Sequence, residues 1–196
     1  MIAGLVVASG WLVNGRQNRR EARRLRNEAL RDLHRALYAE IAVNLANLGG
    51  LDAIETAKQA QVARMKKSNN HRPFLTHQKR DMVFQAFLRD INILPRSSID
   101  PIVTYYALVN SIEQMEHDIR SDRFMNLNKD GRIALYSDYM DLLNQSVTYG
   151  WIALQLIDCY GKNGVEAART LSSQLWVNNR LGGDPDALSQ DPADVQ

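Results

Sequence analysis

The sequence predicts an all-α protein, built as an antiparallel helical bundle of five to six helices. Three observations predict this fold class. Apolar residues recur at spacings of three and four along several long segments, which is the period of an amphipathic helix. No segment alternates between apolar and polar residues over the length of a strand. Short connections rich in glycine, proline or polar residues separate the segments, so consecutive helices are expected to pack as neighbours.

The first predicted helix begins at Arg16 and ends near Leu48, because no proline or glycine interrupts this segment. Its second half carries an apolar stripe suited to a core. The stripe consists of Leu30, Leu33, Leu37, Ile41, Leu45 and Leu48. Glu40 and Asn44 lie beside the stripe, so both are expected to be partly buried and to need an arginine or tyrosine partner from a neighbouring helix.

Glycines and polar loops mark where the later helices end. Gly49-Gly50 and residues 161–164 predict breaks, and residues 68–73 predict a polar loop. Between these breaks the helices are expected at residues 51–67, 76–93, 98 or 100 to about 119, 130–160 and 165–181.

Caps and apolar positions refine the later helices. Ser98 or Asp100 is expected to cap the helix that has Pro101 in its first turn, and Asp130 is expected to cap the longest helix. The candidate core residues are Met82, Val83, Phe87, Ile91, Leu94, Ile102, Val103, Tyr106, Val109, Ile112, Met115, Ile119, Ile133, Leu135, Tyr139, Leu142, Leu143, Val147, Trp151, Leu154 and Ile157.

Charge is distributed unevenly in a chain of 196 residues whose net charge is only +2. Residues 16–35 contain eight arginines and three acidic residues, whereas residues 181–196 contain four aspartates and no lysine or arginine. Four parts are therefore expected. They are an apolar membrane-associated segment at 1–15, a basic juxtamembrane stalk at 16–29, a cytoplasmic helical-bundle domain at 30–181 and a disordered acidic tail at 182–196.

The apolar start, residues 1–13, is the main indication of where the protein acts. As a helix it would reach about 20 Å, which is less than the roughly 30 Å hydrocarbon core of a bilayer. Trp11 and the arginines that follow are nevertheless typical of a membrane interface and of its cytoplasmic side. A buried terminal helix is the alternative, whereas a signal peptide is disfavoured because no charge precedes Arg16.

The arginine-rich segment allows three interpretations. It can contact anionic lipid headgroups, or it can bind nucleic acid. It can also be a solvated helix face with ion pairs such as Glu28 with Arg24 or Arg31, and Asp32 with Arg35. Nucleic acid is disfavoured because no aromatic residues are interleaved for base stacking. The expected membrane-interface residues are Trp11, Arg16, Arg19, Arg20, Arg23 and Arg24.

The densest group of potential metal ligands is Glu113, Glu116 and His117, which lie within one turn of a predicted helix. A carboxylate-bridged metal bundle would need a second such group, and the sequence has none. Both glutamates flank apolar positions, so a solvated helix face is the favoured interpretation. His71 and His77 form a second, weaker pair in a loop.

No nucleophile or phosphate-loop motif is present, and no cofactor is expected. Cys159 is the single cysteine, so a disulfide within the chain is excluded. The sequence is typical of a small bacterial membrane protein. It predicts an adaptor, sensor or scaffold at the inner membrane, with no catalytic activity evident, that acts as a homo-oligomer or with a protein partner. The alternatives are a helical-bundle metal-binding protein or enzyme, and a nucleic-acid-binding protein.

Overall fold

Six α-helices and one 3-10 helix form the secondary structure of the part of the chain that the computed structural model describes, residues 3–76 and 78–180. Side chains are described for residues 17–76 and 78–175. The elements are α1 (Ala3–Leu48), α2 (Leu51–Lys67), α3 (Met82–Phe87), the 3-10 helix (Leu88–Ile93), α4 (Arg96–Arg120), α5 (Asp122–Asn126) and α6 (Lys129–Arg180). The prediction of an all-α bundle is confirmed. The acidic tail expected at 182–196 lies outside the described residues.

The first helix carries the predicted stripe into the core. Leu30, Leu33, Leu37, Ile41 and Leu45 are all buried, and Leu48 packs against them. The helix ends where predicted, because Gly49 and Gly50 adopt φ angles of 74° and 87°, a region that favours glycine. Its start is earlier than predicted, at Ala3 instead of Arg16.

The third helix was predicted too long. Residues 78–81 are not helical, and α3 begins only at Met82, whose side chain is 67% exposed and therefore not part of the core. The backbone before Met82 is hydrogen-bonded to a side chain of a distant helix instead of within a helix. The side-chain amide of Asn44 donates to the carbonyl of Arg80 at 2.7 Å. The prediction of a helix from Thr76 is therefore wrong.

The fourth helix begins before its predicted caps. Pro95 precedes its first residue, so Ser98 and Asp100 are inside the helix, and Pro101 also lies inside it. Ser98 is fully buried and its hydroxyl donates to the carbonyl of Pro95 at 3.3 Å. The proposed caps are wrong by several residues, and the predicted core residue Val103 is exposed.

The last helix is divided at one glycine. Asn128, not Asp130, caps its start, because its side-chain oxygen accepts a hydrogen bond of 2.7 Å from the N–H of Gly131. Gly164 has a φ of 81° and breaks the helical path, whereas Gly161 remains helical. After this break the helix folds back, and its buried contacts join Leu171 and Leu175 to Tyr149, Ile152 and Leu156.

The long first part of α6 is the centre of the bundle. It packs against α1, α2 and α4, and the buried faces of these four helices form one core. Gly150 permits a close approach of α1 and α4 to α6, since a Cβ atom there would lie 2.8 Å from Leu45 Cδ2 and 3.1 Å from Tyr105 Cε2. Within the described residues, no helix is long enough and apolar enough to cross a membrane.

Candidate functional site

The arginine-rich part of α1 lies outside the packed bundle. Its residues 17–29 are exposed except for the half-buried Glu28, and Leu30 is the first buried residue. Arg24 pairs with Glu28 at 3.3 Å, as the ion-pair interpretation expected. Arg20 and Arg23 are exposed to solvent. The side chains of Trp11 and Arg16 lie outside the described residues. This exposed segment, residues 17–29, is called the stalk below.

A buried ion pair replaces the expected solvated face of α4. Glu116 is 0% exposed, and its Oε1 lies 2.9 Å from Nη1 of Arg80, which precedes α3. The hydroxyl of Tyr139 donates to the same oxygen at 3.3 Å, and burial together with the Glu116 charge raises the pKa of Tyr139. Among the described residues, Glu116 Oε2 has no hydrogen-bond partner. The expectation of a solvated Glu116 is therefore wrong, because this position belongs to the core.

Glu40 holds the start of α3. Its carboxylate accepts hydrogen bonds from the backbone N–H groups of Val83 at 2.7 Å and Phe84 at 3.1 Å, and from the hydroxyl of Tyr106 at 2.6 Å. Two of the N–H groups that a helix start leaves unpaired are thus satisfied from another helix. Burial and the Glu40 charge raise the pKa of Tyr106. The prediction that Glu40 is partly buried beside a tyrosine is confirmed.

The candidate metal ligands do not come together in one site. Glu113 lies 3.6 Å from the ammonium group of Lys79, Glu116 pairs with Arg80, and His117 is exposed. Residues 3–76 and 78–180 contain no group of three His, Cys, Asp or Glu residues that could hold a metal ion.

The structure does not test the expected pair of loop histidines, His71 and His77. The ring of His71 is hydrogen-bonded to the side chain of Gln61 at 2.8 Å. His77 lies outside the described residues, so the expected pair is not described.

A groove follows the contact between α1 and α6, and it has two parts that meet at Tyr38. One part has a volume of about 470 Å³, and its lining includes charged residues. It is lined by Arg31, His34, Arg35, Tyr38, Ile157, Asp158, Tyr160, Gly161 and Lys162. The other part has a volume of about 460 Å³, and among the described residues no charged residue lines it. It is lined by Tyr38, Ala42, Leu45, Ala46, Gly49, Gly50, Val147, Trp151 and Leu154. We call the two parts the basic groove and the apolar groove.

His34 forms the inner wall of the basic groove. Its ring is buried, lies 3.1 Å from the Ser98 hydroxyl through Nε2 and packs edge-on against Tyr160 with ring centroids 5.1 Å apart. Burial lowers the pKa of His34 to about 4, because a charged imidazolium would lose its hydration. The ring is therefore neutral at pH 7. The burial of His34 was not predicted from the sequence.

These features define a class of protein, namely an α-helical bundle with a protruding basic helix and an open groove. Comparison with protein-family models, with curated proteins and with solved structures gave no match. Its function therefore has to be inferred from the residues themselves.

Proposed function

We propose that this chain is a non-catalytic interaction domain that associates with anionic membrane surfaces through the N-terminal half of α1. The observation that carries the proposal is the division of α1 at Leu30. Beyond Leu30 the helix is part of the core, whereas before it the stalk presents exposed arginines away from the bundle. A basic helix that makes no contribution to the core is available for another partner.

The chemistry of the stalk fits lipid phosphates. The thirteen helical residues of the stalk extend about 20 Å, and each arginine near an anionic surface contributes on the order of 1 kcal/mol. The preceding residues 1–13 are apolar, with Trp11 near their end, which suits contact with the interface. In a bacterial cell the proposal corresponds to the inner membrane, with the bundle on the cytoplasmic side.

The groove supports the second half of the proposal, an interaction domain. It is the concave surface formed by α1 and α6, and it combines aromatic and aliphatic walls with three cationic side chains. Such surfaces are typical of sites that bind a protein segment. The interaction partner is a protein, either a second copy of the chain or another polypeptide.

Flotation of the full chain with lipid vesicles tests the membrane half. Vesicles of phosphatidylglycerol with phosphatidylcholine are compared with vesicles of phosphatidylcholine alone. The variant carries Arg20→Gln, Arg23→Gln and Arg24→Gln, and we expect its binding to the anionic vesicles to fall by roughly a hundredfold. Phosphatidylcholine vesicles should bind both proteins weakly and equally.

A matched variant separates the stalk from net charge. Arg64→Gln, Arg89→Gln and Arg123→Gln remove the same charge from exposed positions of the bundle, and their effect should be small. Equal losses of binding in both variants would contradict the proposal. It would also be contradicted if none of the unmodified protein floated with the anionic vesicles. Tight binding of a DNA duplex that depends on the stalk arginines, with no binding to vesicles, would favour the nucleic-acid interpretation instead.

A further inference from the structure

The basic groove has an excess of positive charge, and the α1 wall carries that excess. Arg31 and Arg35 are exposed and lie one turn apart on α1, so they share a face of the helix. Lys162 of α6 lies on the other wall, where it pairs with Asp158 at 3.0 Å. Among the residues that line the basic groove there are thus three cations and one carboxylate. An occupant of this groove should be acidic.

The remaining walls favour a peptide over a free anion. Tyr38, Ile157 and Tyr160 provide a surface that is mostly apolar, and it continues past Tyr38 into the apolar groove with Leu45, Trp151 and Leu154. A small anion would leave this surface exposed to water, whereas a peptide with aspartates and aliphatic side chains would cover both kinds of wall.

We propose that the basic groove binds the acidic tail of the same chain, residues 181–196. The tail has four aspartates at 184, 186, 191 and 194 and no lysine or arginine, so its charge is opposite to that of the groove. Leu181, Leu188 and Val195 supply aliphatic side chains for the apolar walls. This proposal goes beyond the proposed function, because it involves neither the stalk nor a lipid, and because the tail would compete with a partner protein for the same groove.

The length of the tail is sufficient. Since α6 folds back at Gly164 and Leu175 packs with Ile152, the end of the helix at Arg180 lies close to the level of Val147. From there to Asp158 is about 15–20 Å along the helix, and one helix diameter of about 10 Å has to be crossed. Sixteen extended residues reach up to about 50 Å. The second half of the tail can therefore lie between Arg35 and Lys162.

The tether also favours the tail of the same chain over other acidic peptides. A segment tethered within the same chain over a short distance is present at an effective concentration in the millimolar range. A peptide from another molecule would need a comparable concentration to compete. The stalk also has arginines, but it is further from Arg180, and its residues are exposed except for the half-buried Glu28.

Paramagnetic relaxation enhancement in the full chain tests the proposal. A nitroxide is attached at Ser189→Cys in a Cys159→Ser background, so that only the tail is labelled. We expect the amide signals of Arg31, Arg35 and Lys162 to lose more than half of their intensity. Gly131 lies about 45 Å from the groove along α6 and should keep its intensity.

Two further samples decide whether the groove attracts the tail through its charge. Arg31→Gln with Arg35→Gln should restore most of the lost intensity, whereas Arg64→Gln with Arg123→Gln, which removes equal charge elsewhere, should not. Intact groove signals in the labelled chain would overturn the proposal. Broadening confined to residues 17–26 would overturn it in favour of the stalk.

A mixture of nitroxide-labelled chain and isotope-labelled chain identifies the source of the tail. Broadening of the groove signals in this mixture would show that the tail comes from another copy, and would overturn the intramolecular form proposed here. Vesicle flotation is independent of these measurements, so failure of the groove proposal leaves the membrane proposal standing, and the reverse also holds.

Discussion

Arg80 and Glu116 form an ion pair of 2.9 Å inside the bundle, where both residues are buried. The pair joins the segment before α3 to the C-terminal part of α4. The side-chain amide of Asn44 of α1 donates to the carbonyl of Arg80, and the hydroxyl of Tyr139 of α6 donates to Glu116. One buried charge pair thus connects the non-helical segment to three helices, which explains why this segment is fixed without helical hydrogen bonds.

Removal of one partner of this pair should destabilise the fold strongly. In Arg80→Met the Glu116 carboxylate would stay buried without a counter-charge, and we expect the free energy of unfolding to fall by about 3–5 kcal/mol. Urea denaturation followed by circular dichroism measures the change.

Two controls show whether burial of the charge causes this loss. The double variant Arg80→Met with Glu116→Met should be less destabilised than the sum of its single variants, since no isolated charge remains. Arg169→Met breaks an exposed pair with Glu166 and should change the stability by less than about 1 kcal/mol. A loss in Arg80→Met no larger than in Arg169→Met would contradict the structural account.

The sequence predicted the fold because its signals are local. Helical periodicity and the glycines at 49, 50 and 164 determine where helices form and end, and each can be recognised within a few residues. The burial of Glu116 was missed although its position indicated it. Glu116 follows Ile112 by four residues and precedes Ile119 by three, so it lies on the apolar stripe. His34 has the same relation to Leu30 and Leu37.

The partners of these buried residues could not be predicted in the same way. Arg80 is 36 residues from Glu116 in sequence, and it lies in a segment without helical periodicity. Its side chain meets Glu116 only because α1, α4 and α6 enclose it. The two parts of the groove also depend on how α1 packs against α6, and periodicity does not determine that packing. Tertiary contacts of this kind leave no pattern in the sequence.

Acid should destabilise the bundle through His34. The pKa of His34 is about 4 in the folded state and 6.5 in the unfolded chain, so between these values the unfolded chain binds the additional proton. Stability contributed by neutral His34 is therefore complete above about pH 6.5 and is lost as the pH falls towards 4. The loss amounts to about 3 kcal/mol. The charged residues that line the groove beside His34 are Arg31, Arg35, Lys162 and Asp158.

The variant His34→Gln isolates this effect, because glutamine can still bond to Ser98 and does not titrate. We expect the wild-type chain to lose more stability than His34→Gln between pH 7 and pH 4.5, as measured by urea denaturation at each pH. The exposed His117→Gln should behave like the wild type. Parallel pH dependence in the wild type and His34→Gln would show that His34 is not the titrating group.

Tyr106 should stabilise the fold through the carboxylate of Glu40. Tyr106→Phe removes the 2.6 Å hydrogen bond and leaves Glu40 with its two backbone donors, and we expect a loss of about 1–3 kcal/mol. Tyr38→Phe is the control, because the Tyr38 side chain is 39% exposed, and its effect should stay within about 0.5 kcal/mol. Thermal unfolding of both variants gives the comparison. If both variants lost the same stability, the hydrogen bond between Tyr106 and Glu40 would not stabilise the fold, which would contradict this prediction.

Two helical glycines of α6 should respond in opposite directions to the same substitution. Both gain helix propensity in Gly→Ala, worth up to about 1 kcal/mol. At Gly161 no atom lies within 4 Å of the added methyl group, so Gly161→Ala should stabilise the protein by this amount.

At Gly150 the methyl group would meet Leu45 Cδ2 at 2.8 Å and Tyr105 Cε2 at 3.1 Å. Overpacking of a core costs about 1–3 kcal/mol, which exceeds the gain in propensity, so Gly150→Ala should be less stable than the wild type. The midpoints of urea denaturation decide the sign of each change. If both variants were stabilised by the same amount, helix propensity would be the only effect at either position. The contacts of α6 with α1 and α4 at Gly150 would then be less close than in the structure.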